Sequence, residues 1–377
     1  MDDWLLIAGD FTPLGGMDRA NHALALGLAA RGHRVSLVTH RAWDDLIGRA
    51  HSSSVARPRG SHFLGSPLLA SAGERAARSA RGRVVVNGGN AVAHDITWIH
   101  YLHAAHTPIV TRGAGRVRAA AAHRYYLRRE KASIRAARYV VCNSVRTADA
   151  IASAYEVERT RLRVVYYGSD PLAFTSVDEG SRGEARSTLG WPDERLTALF
   201  VGGLGDRRKG FDRLFEAWQL LAMSGDWDVD LAVAGSGREL AAWTSRARTH
   251  GLRSVRFLGF RDDIANVIAA SDVIVHPSRY EAYGLAVHEA ICRGLPAVVS
   301  ATAGVAERID GPLRALLVDN AESAAEIADR LRAWRGSITR YRSAAAVLGA
   351  TLRQRTWDDM VNDFVAAVST PLACGAA

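Results

Sequence analysis

The sequence predicts an α/β protein of two Rossmann-like domains whose parallel sheets face a common cleft. Three observations carry the prediction. Short β-branched runs alternate with longer amphipathic runs along most of the 377 residues, and such alternation produces parallel strands covered on both faces. The alternation pauses over 169–195, a stretch rich in turn formers that reads as a linker plus the lead-in to a second domain, and resumes at 196. The length also exceeds what a single core ordinarily holds. The domains expected are 1–172 and 173–355.

The first half opens with "WLLIAG" (4–9), a short apolar run that reads as a strand. "MDRANHALALGLAARG" (17–32) has apolar residues at helical spacing and ends on a glycine, a common helix stop. Strands follow at 34–39, 83–86 and 96–100, then an Ala/Arg-rich helix at 115–137. A strand at 139–144, a helix at 145–155 and a strand at 162–168 complete this half. The second half restarts with "LTALFVGG" (196–203) and continues with strands at 229–234, 254–259, 272–276, 296–300 and 314–318, separated by helical stretches.

Composition narrows the function classes. Hydrophobic residues make up 48% of the chain, enough for globular cores. The opening "MDDWLLIAGDF" has acids where a signal peptide carries bases. No stretch approaches the roughly 20 apolar residues that span a bilayer, so a soluble or surface-lying protein is expected. Cys142, Cys292 and Cys374 are far apart and match no metal or disulfide spacing. Two buried thiols and one tail thiol in a reducing cytoplasm fit that pattern. The net charge is +9, yet only Lys131 and Lys209 of the 48 basic residues are lysines. An arginine bias of this kind weakens a nucleic-acid reading of the charge and draws attention to each lysine.

In doubly wound sheets ligands bind beyond the carboxyl ends of the strands, so the strand-to-helix turns are where chemistry is sought. "GDFTPLGGMDRAN" (9–21) places Gly15 and Gly16 before a helix start, which suits an anion or a tight turn without a ligand. It lacks the dinucleotide fingerprint. "GGLGDRRKGFDRLFEAW" (202–218) sets Arg207, Arg208 and Lys209 directly before a helix. Cations are unfavourable there unless an anion such as a diphosphate sits among them. "AVAGSG" (232–237), with Gly235, and "FLGFRDD" (257–263), with Phe260, are further turns that can present backbone to a nucleotide. "DVD" (228–230) precedes a strand and reads as its solvated start. "WIHYLHAAH" (98–106) spaces His100, His103 and His106; His100, at the strand tip, is the one expected to reach the cleft.

"RYEAYGLAVHEAICRGLP" (279–296) is the most informative stretch. Gly284 stands before a helical run, so the N–H groups of Gly284, Leu285 and Ala286 point outward unsatisfied, toward a phosphate. Glu281 lies before the helix and Glu289 about one turn inside it. Eight helical residues rise about 12 Å, whereas glycosidase carboxylates stand about 5–9.5 Å apart. The two acids fit the ends of one extended ligand better than an acid–base pair. An ordinary helix-start acid and an i,i+4 pair of Glu289 with Arg293 account for them equally well on local grounds.

Taken together, these stretches resemble the retaining, nucleotide-sugar-dependent glycosyltransferases of family four, which have the GT-B fold. "PLGGMDRANHALALGLAARGHRVSLVT" is similar to the family's first strand–loop–helix, and "YVVCNSVRTADAIASAYEVERTRLRVVYYGSD" to the end of its first domain. "FVGGLGDRRKGFDRLFEAW" resembles its phosphate-binding turn and "PSRYEAYGLAVHEAICRGLPAVVS" its Glu-x7-Glu signature. "TWDDMVNDFVAAV" (356–368), within the closing segment 356–377, resembles the helix that crosses back to the first domain.

The resemblance implies roles. Glu281 holds hydroxyls of the donor sugar, the 284–286 N–H groups hold the diphosphate, and Glu289 binds the ribose. Lys209, with Arg208, neutralises the leaving diphosphate; Gly16 closes over the phosphates; His100 lies near the transferred sugar. No metal and no cofactor are expected beyond the nucleotide sugar as co-substrate. The chain departs from many members at Gly203, where they carry an arginine; either Arg207 or Arg208 takes that role, or the phosphate grip is weaker. The acceptor is expected on the first domain, where 112–138 holds nine basic residues and one acid, Glu130. That helix suits a lipid-linked acceptor or an anionic inner membrane face, or is simply a solvated surface. "WIHYLH" is faintly similar to a turn of some mannosyltransferases, which leans toward GDP-mannose over UDP-sugars. Two other classes compete: an NAD(P)-dependent Rossmann oxidoreductase, lacking its fingerprint turn, and a basic nucleic-acid-binding module, short of interleaved aromatics.

Overall fold

A computed structural model of the protein describes residues 2–109, 114–205 and 207–371. Cys374 lies outside them, as do Arg112 and Gly113 of the basic stretch. The chain forms two units, one of 1–168 with 356–377 and one of 169–355.

The first unit runs β1 (Asp3–Ile7), β2 (Asp10–Phe11), α1 (Met17–Ala30), β3 (Arg34–Thr39), β4 (Arg41–Ala42), β5 (His51–Ser54) and α2 (His62–Ser79). It continues with β6 (Arg83–Asn87), β7 (Ile96–Ile99), α3 (Ala114–Ala136), β8 (Tyr139–Cys142), α4 (Val145–Tyr155) and β9 (Leu162–Val164). Seven strands make a parallel sheet in the order β5-β3-β1-β6-β7-β8-β9, and β2 pairs with β4 in a separate short ribbon. The central strands β7 and β8 are buried throughout, as expected of a sheet covered on both faces. α12 (Trp357–Ser369) belongs to this unit, starting at a capping box of Thr356 and Asp359 and setting Phe364 against Trp4 and Trp98.

The second unit holds α5 (Glu179–Leu189), β10 (Leu196–Val201), α6 (Phe211–Met223), β11 (Val229–Ala234), α7 (Leu240–Thr249), β12 (Val255–Gly259), α8 (Ile264–Ala269) and β13 (Val273–His276). Then come α9 (Leu285–Cys292), β14 (Ala297–Ser300), β15 (Leu317–Val318), α10 (Ala324–Arg335) and α11 (Ile338–Arg353). Its six strands are parallel in the order β12-β11-β10-β13-β14-β15.

The segment 169–195, expected as linker and lead-in to the second domain, includes a helix: Asp178 caps α5, Gly190 ends it in a left-handed conformation, and Arg186 from α5 is fully buried. One local expectation needs correction. The "DVD" stretch is not simply solvated: Asp230 is buried and pairs with Arg195 and Arg256, while Asp228 pairs with Arg335. Between 40 and 82 the sequence signal is weak because "HSSS" forms an exposed strand and α2 carries Pro67 inside it.

Candidate active site

The second sheet reverses its order between β10 and β13. The chain leaves β10 toward β11 and β12, then returns to pair β13 on the other side. At such a switch point the two outgoing loops diverge and leave a crevice at the carboxyl ends of the strands. The loop after β10 carries Arg207, Arg208 and Lys209; the loop after β13 carries Arg279 and Glu281 and ends at α9.

Lys209 Nζ donates to Glu281 Oε2, and Arg208 Nη1 donates to the same oxygen at 3.3 Å and to the Tyr280 carbonyl at 3.1 Å. Burial alone would push the Glu281 carboxyl up; the charges of Lys209 and Arg208 reverse this and hold it down at about 2. Behind the pair, His276 is buried and stacks on Phe200, with Nε2 at 3.9 Å from Glu281 Oε2. Burial, followed by the Lys209 charge, draws the His276 ring down to about 3, so it is neutral. Arg207 is separate: its guanidinium faces Glu239 at 3.6 Å. Of the two arginines that the sequence offers beside Lys209, Arg208 is thus the one at Glu281.

Gly284 caps α9 with φ of 107°, a left-handed conformation that favours glycine, and an added Cβ would lie 3.0 Å from Val305. Its loop is pinned from the other side, because Gly304 N–H donates to Glu281 O and Val305 N–H to Tyr283 O. The first N–H groups of α9, including those of Leu285 and Ala286, have no acceptor within the helix. Glu289 is buried one turn further in, and Arg293 gives its Nη1 to the Ala173 carbonyl. Gly235 packs so closely on the β10 loop that a Cβ would fall 1.9 Å from Gly202 O. Phe260 is 68% exposed at the tip of β12, beside the turn where Gly235 N–H donates to Gly259 O.

In the first unit His100 is buried, and both ring nitrogens are engaged. Nδ1 pairs with Tyr167 OH at 2.5 Å and Nε2 with Asn21 Oδ1 at 3.2 Å, while Asn143 Nδ2 donates to the same tyrosine. Burial draws the ring down to about 3. His100 is therefore neutral, with its ring held between Tyr167 and Asn21 of α1. His103 stacks on Tyr126. Among the described residues no three metal-ligating side chains come together. Gly15 is left-handed at 80° and Gly16 caps α1. The adjoining Asp18 carboxyl rises to about 6 through burial and the nearby Asp10, with Arg41 and Arg57 opposing.

The sequence could not tell that Glu130, the one acid of the basic helix, is buried. It accepts from the N–H groups of His103 and Ala104 and from Tyr155 OH, and so holds the turn after β7. Arg124, Arg128, Lys131 and Arg135 are exposed along one side of α3. At its N-terminal half lie exposed Val117 and, through a Phe63–Tyr125 ring contact, Phe63, Leu64 and Leu68 of α2. Cys142 and Cys292 are buried, and burial raises both thiols. Among the described residues no helix is long and apolar enough to cross a membrane.

Comparison with known proteins now bears on this geometry. Residues 14–171 match the family described as Glycosyltransferase Family 4, and residues 195–334 match Glycosyl transferases group 1. The D-inositol 3-phosphate glycosyltransferase of Corynebacterium jeikeium is 30% identical over 189 residues, 48% of this chain and 45% of the relative. The lipopolysaccharide glucosyltransferase WaaG of Escherichia coli is 32% identical over 157 residues, 41% of each chain. The matched stretch is thus less than half the length of these relatives. A crystal structure of WaaG aligns with a TM-score of 0.77 at 22% identity, covering 99% of this chain and 100% of that one. Anabaena HepE in complex with UDP and glucose aligns at 0.72 and 19% identity, over 97% and 98%. Likeness at such identities establishes the fold, two parallel-sheet α/β domains of the GT-B kind. Neither the oxidoreductase nor the nucleic-acid reading gains support from these matches. With a glycosyltransferase match on each half and that fold throughout, the chain belongs to the family-four-like, group 1 glycosyltransferases.

Proposed function

We propose that the protein transfers a hexosyl group from a nucleoside-diphosphate sugar to an acceptor hydroxyl, with retention of the anomeric configuration. The observation that carries this is the convergence of Lys209, Arg208 and Glu281 at the switch point of the second sheet, beside the start of α9. The bond from the sugar to the diphosphate breaks, the bond to the acceptor oxygen forms on the same face, and the acceptor proton passes to the departing phosphate. Negative charge grows on that phosphate, and cations already in place stabilise it without reorganising. Lys209 has three donors, so it can serve Glu281 and a phosphate oxygen together. Glu281 takes sugar hydroxyls, the N–H groups of Gly284, Leu285 and Ala286 take the diphosphate, and Glu289 takes the ribose hydroxyls. Gly235 and Phe260 border the nucleoside. Gly15 and Gly16 offer a second anion-accepting helix start in the first unit. This assigns charge neutralisation to protein cations and requires no metal.

HepE was crystallised with UDP-glucose, and WaaG is described as a glucosyltransferase; UDP-glucose therefore stands beside GDP-mannose among the donors to test. Donor hydrolysis with UDP-glucose, UDP-N-acetylglucosamine and GDP-mannose is the deciding experiment. Turnover of one donor is expected; no turnover of any, with a thermal shift by NAD alone, sinks the proposal. The acceptor is proposed to belong to a glycolipid, a cell-surface glycan or a glycosylated metabolite. The basic face of α3 beside exposed Phe63, Leu64 and Leu68 supports docking at an anionic cytoplasmic membrane face.

A further inference from the structure

The turn that carries Arg208 and Lys209 is conformationally costly. Arg207 has φ of 57° and Gly210 of 72°, so left-handed residues flank the two cations. A non-glycine residue in that region is strained and persists only where its surroundings hold it. The surroundings here are the neighbouring loop after β13. A Cβ on Gly210 would fall 1.8 Å from Pro277 O, so backbone meets backbone. Arg279 N–H donates to Arg208 O at 2.9 Å, and Arg279 Nη1 donates to Arg207 O at 2.6 Å.

Arg279 is itself held on every side. Nη1 and Nη2 fork onto Asp212 at 2.7 and 2.9 Å, and Nε and Nη2 fork onto Glu322 at 2.5 and 2.9 Å. With the bond to Arg207 O, all five guanidinium N–H groups are accounted for. Asp212 lies in the first turn of α6, where a carboxylate complements the helix dipole, and Glu322 also accepts from Arg213 at 2.9 Å. The Arg279 side chain is 9% exposed. It stands two residues before Glu281, so one side chain fixes the cation-bearing turn relative to the loop that bears its carboxylate partner.

We infer that Arg279 is a positioning residue that presets Arg208 and Lys209 for the diphosphate, through the Arg207 carbonyl and the Asp212–Glu322 fork. This rests on the nucleotide-sugar reading of the site. Lysine cannot replace it, because a single ammonium with three donors cannot span two carboxylates and a carbonyl.

The test is calorimetric titration of the full chain with UDP, UMP, GDP and GMP, alongside Lys209→Ala, Arg279→Lys and Arg279→Met. The diphosphate-to-monophosphate affinity ratio is the readout, since general loosening lowers both affinities together. Both Arg279 variants are expected to lower the ratio by at least about tenfold, the scale of one charge-assisted hydrogen bond. Monophosphate affinity is expected to stay near native, which also shows that the variant is folded. Arg279→Lys provides the readout if Arg279→Met does not fold. A native ratio in Arg279→Lys with a lowered ratio in Lys209→Ala overturns this inference alone. A native ratio in Lys209→Ala, or no diphosphate binding by the native chain, overturns the site reading and this inference with it.

Discussion

Glu281 in the loop after β13 accepts from Lys209 in the loop after β10, a pair 72 residues apart in the chain. The contact joins the two loops of the switch point and keeps the carboxylate ionised. Removing Lys209 leaves Glu281 with Arg208 as its remaining cation, and removing Glu281 takes the shared carboxylate from both. Lys209→Ala and Glu281→Ala are expected to lower turnover about 10²–10³-fold, the range for loss of one preorganised electrostatic group. Because the Glu281 carboxyl sits at about 2 when folded, its ionic contribution is complete above about 4.5 and is lost only as pH falls through about 2. An acid limb in the rate profile at pH 5–6 therefore belongs to another group, which a pH–rate series on the native enzyme checks.

Arg124, Arg128 and Lys131 give α3 an exposed cationic face because Glu130 is turned inward. Each basic group near an anionic bilayer contributes about 1 kcal/mol. Co-sedimentation with phosphatidylglycerol vesicles at low salt is expected for the native chain. Reversal of the three residues to glutamate is expected to abolish it. Failure of the native chain to sediment sinks the membrane proposal.

Asp18 carries the opposite pH signature from Glu281. Its folded value of about 6 lies above the 3.8 ordinary for an aspartate, so the folded state holds the extra proton between those values. Stability then falls as pH rises from about 4 to about 6 and stays reduced above that. Asp18→Asn is expected to flatten this slope and to stabilise the chain at pH 8 by about 1–2 kcal/mol, part of the full shift being discounted for partial exposure. Urea denaturation at pH 4.5 and pH 8 measures both.

Asp272 is fully buried and receives Arg182 and Arg186 at 2.9 Å, Arg342 at 3.1 Å and the Thr197 N–H at 2.8 Å. It ties α5 and α11 to the N-terminal ends of the central strands β10 and β13. Asp272→Ala leaves the buried Arg186 guanidinium without its counter-charge and is expected to cost about 3–5 kcal/mol. A fall of this size in the denaturation midpoint of the second unit, with the first unit unchanged, is the expected result.

Much of the architecture was legible in the sequence. The run 34–39 is β3 to the residue, and the helix expected over 145–155 is α4, because local apolar period and β-branching suffice to set such elements. The weak region, 40–82, carries neither period: its strand is four polar residues, and its helix contains a proline. The candidate site was legible only as separate turns. Lys209 stood out as one of two lysines and Gly284 as a helix opener. Nothing local marked Arg279 as more than a loop arginine.

By itself the sequence determined that strands and helices alternate in two sets and which turns leave the carboxyl ends of the strands, since those properties follow from neighbours in the chain. Only the tertiary structure decided that Arg208, not Arg207, joins Lys209 on Glu281, that His100 turns both nitrogens inward, and that Glu130 leaves the α3 surface to its arginines. These outcomes depend on burial and on partners far along the chain. Desolvation and charge pairing act through space, and no local pattern records them.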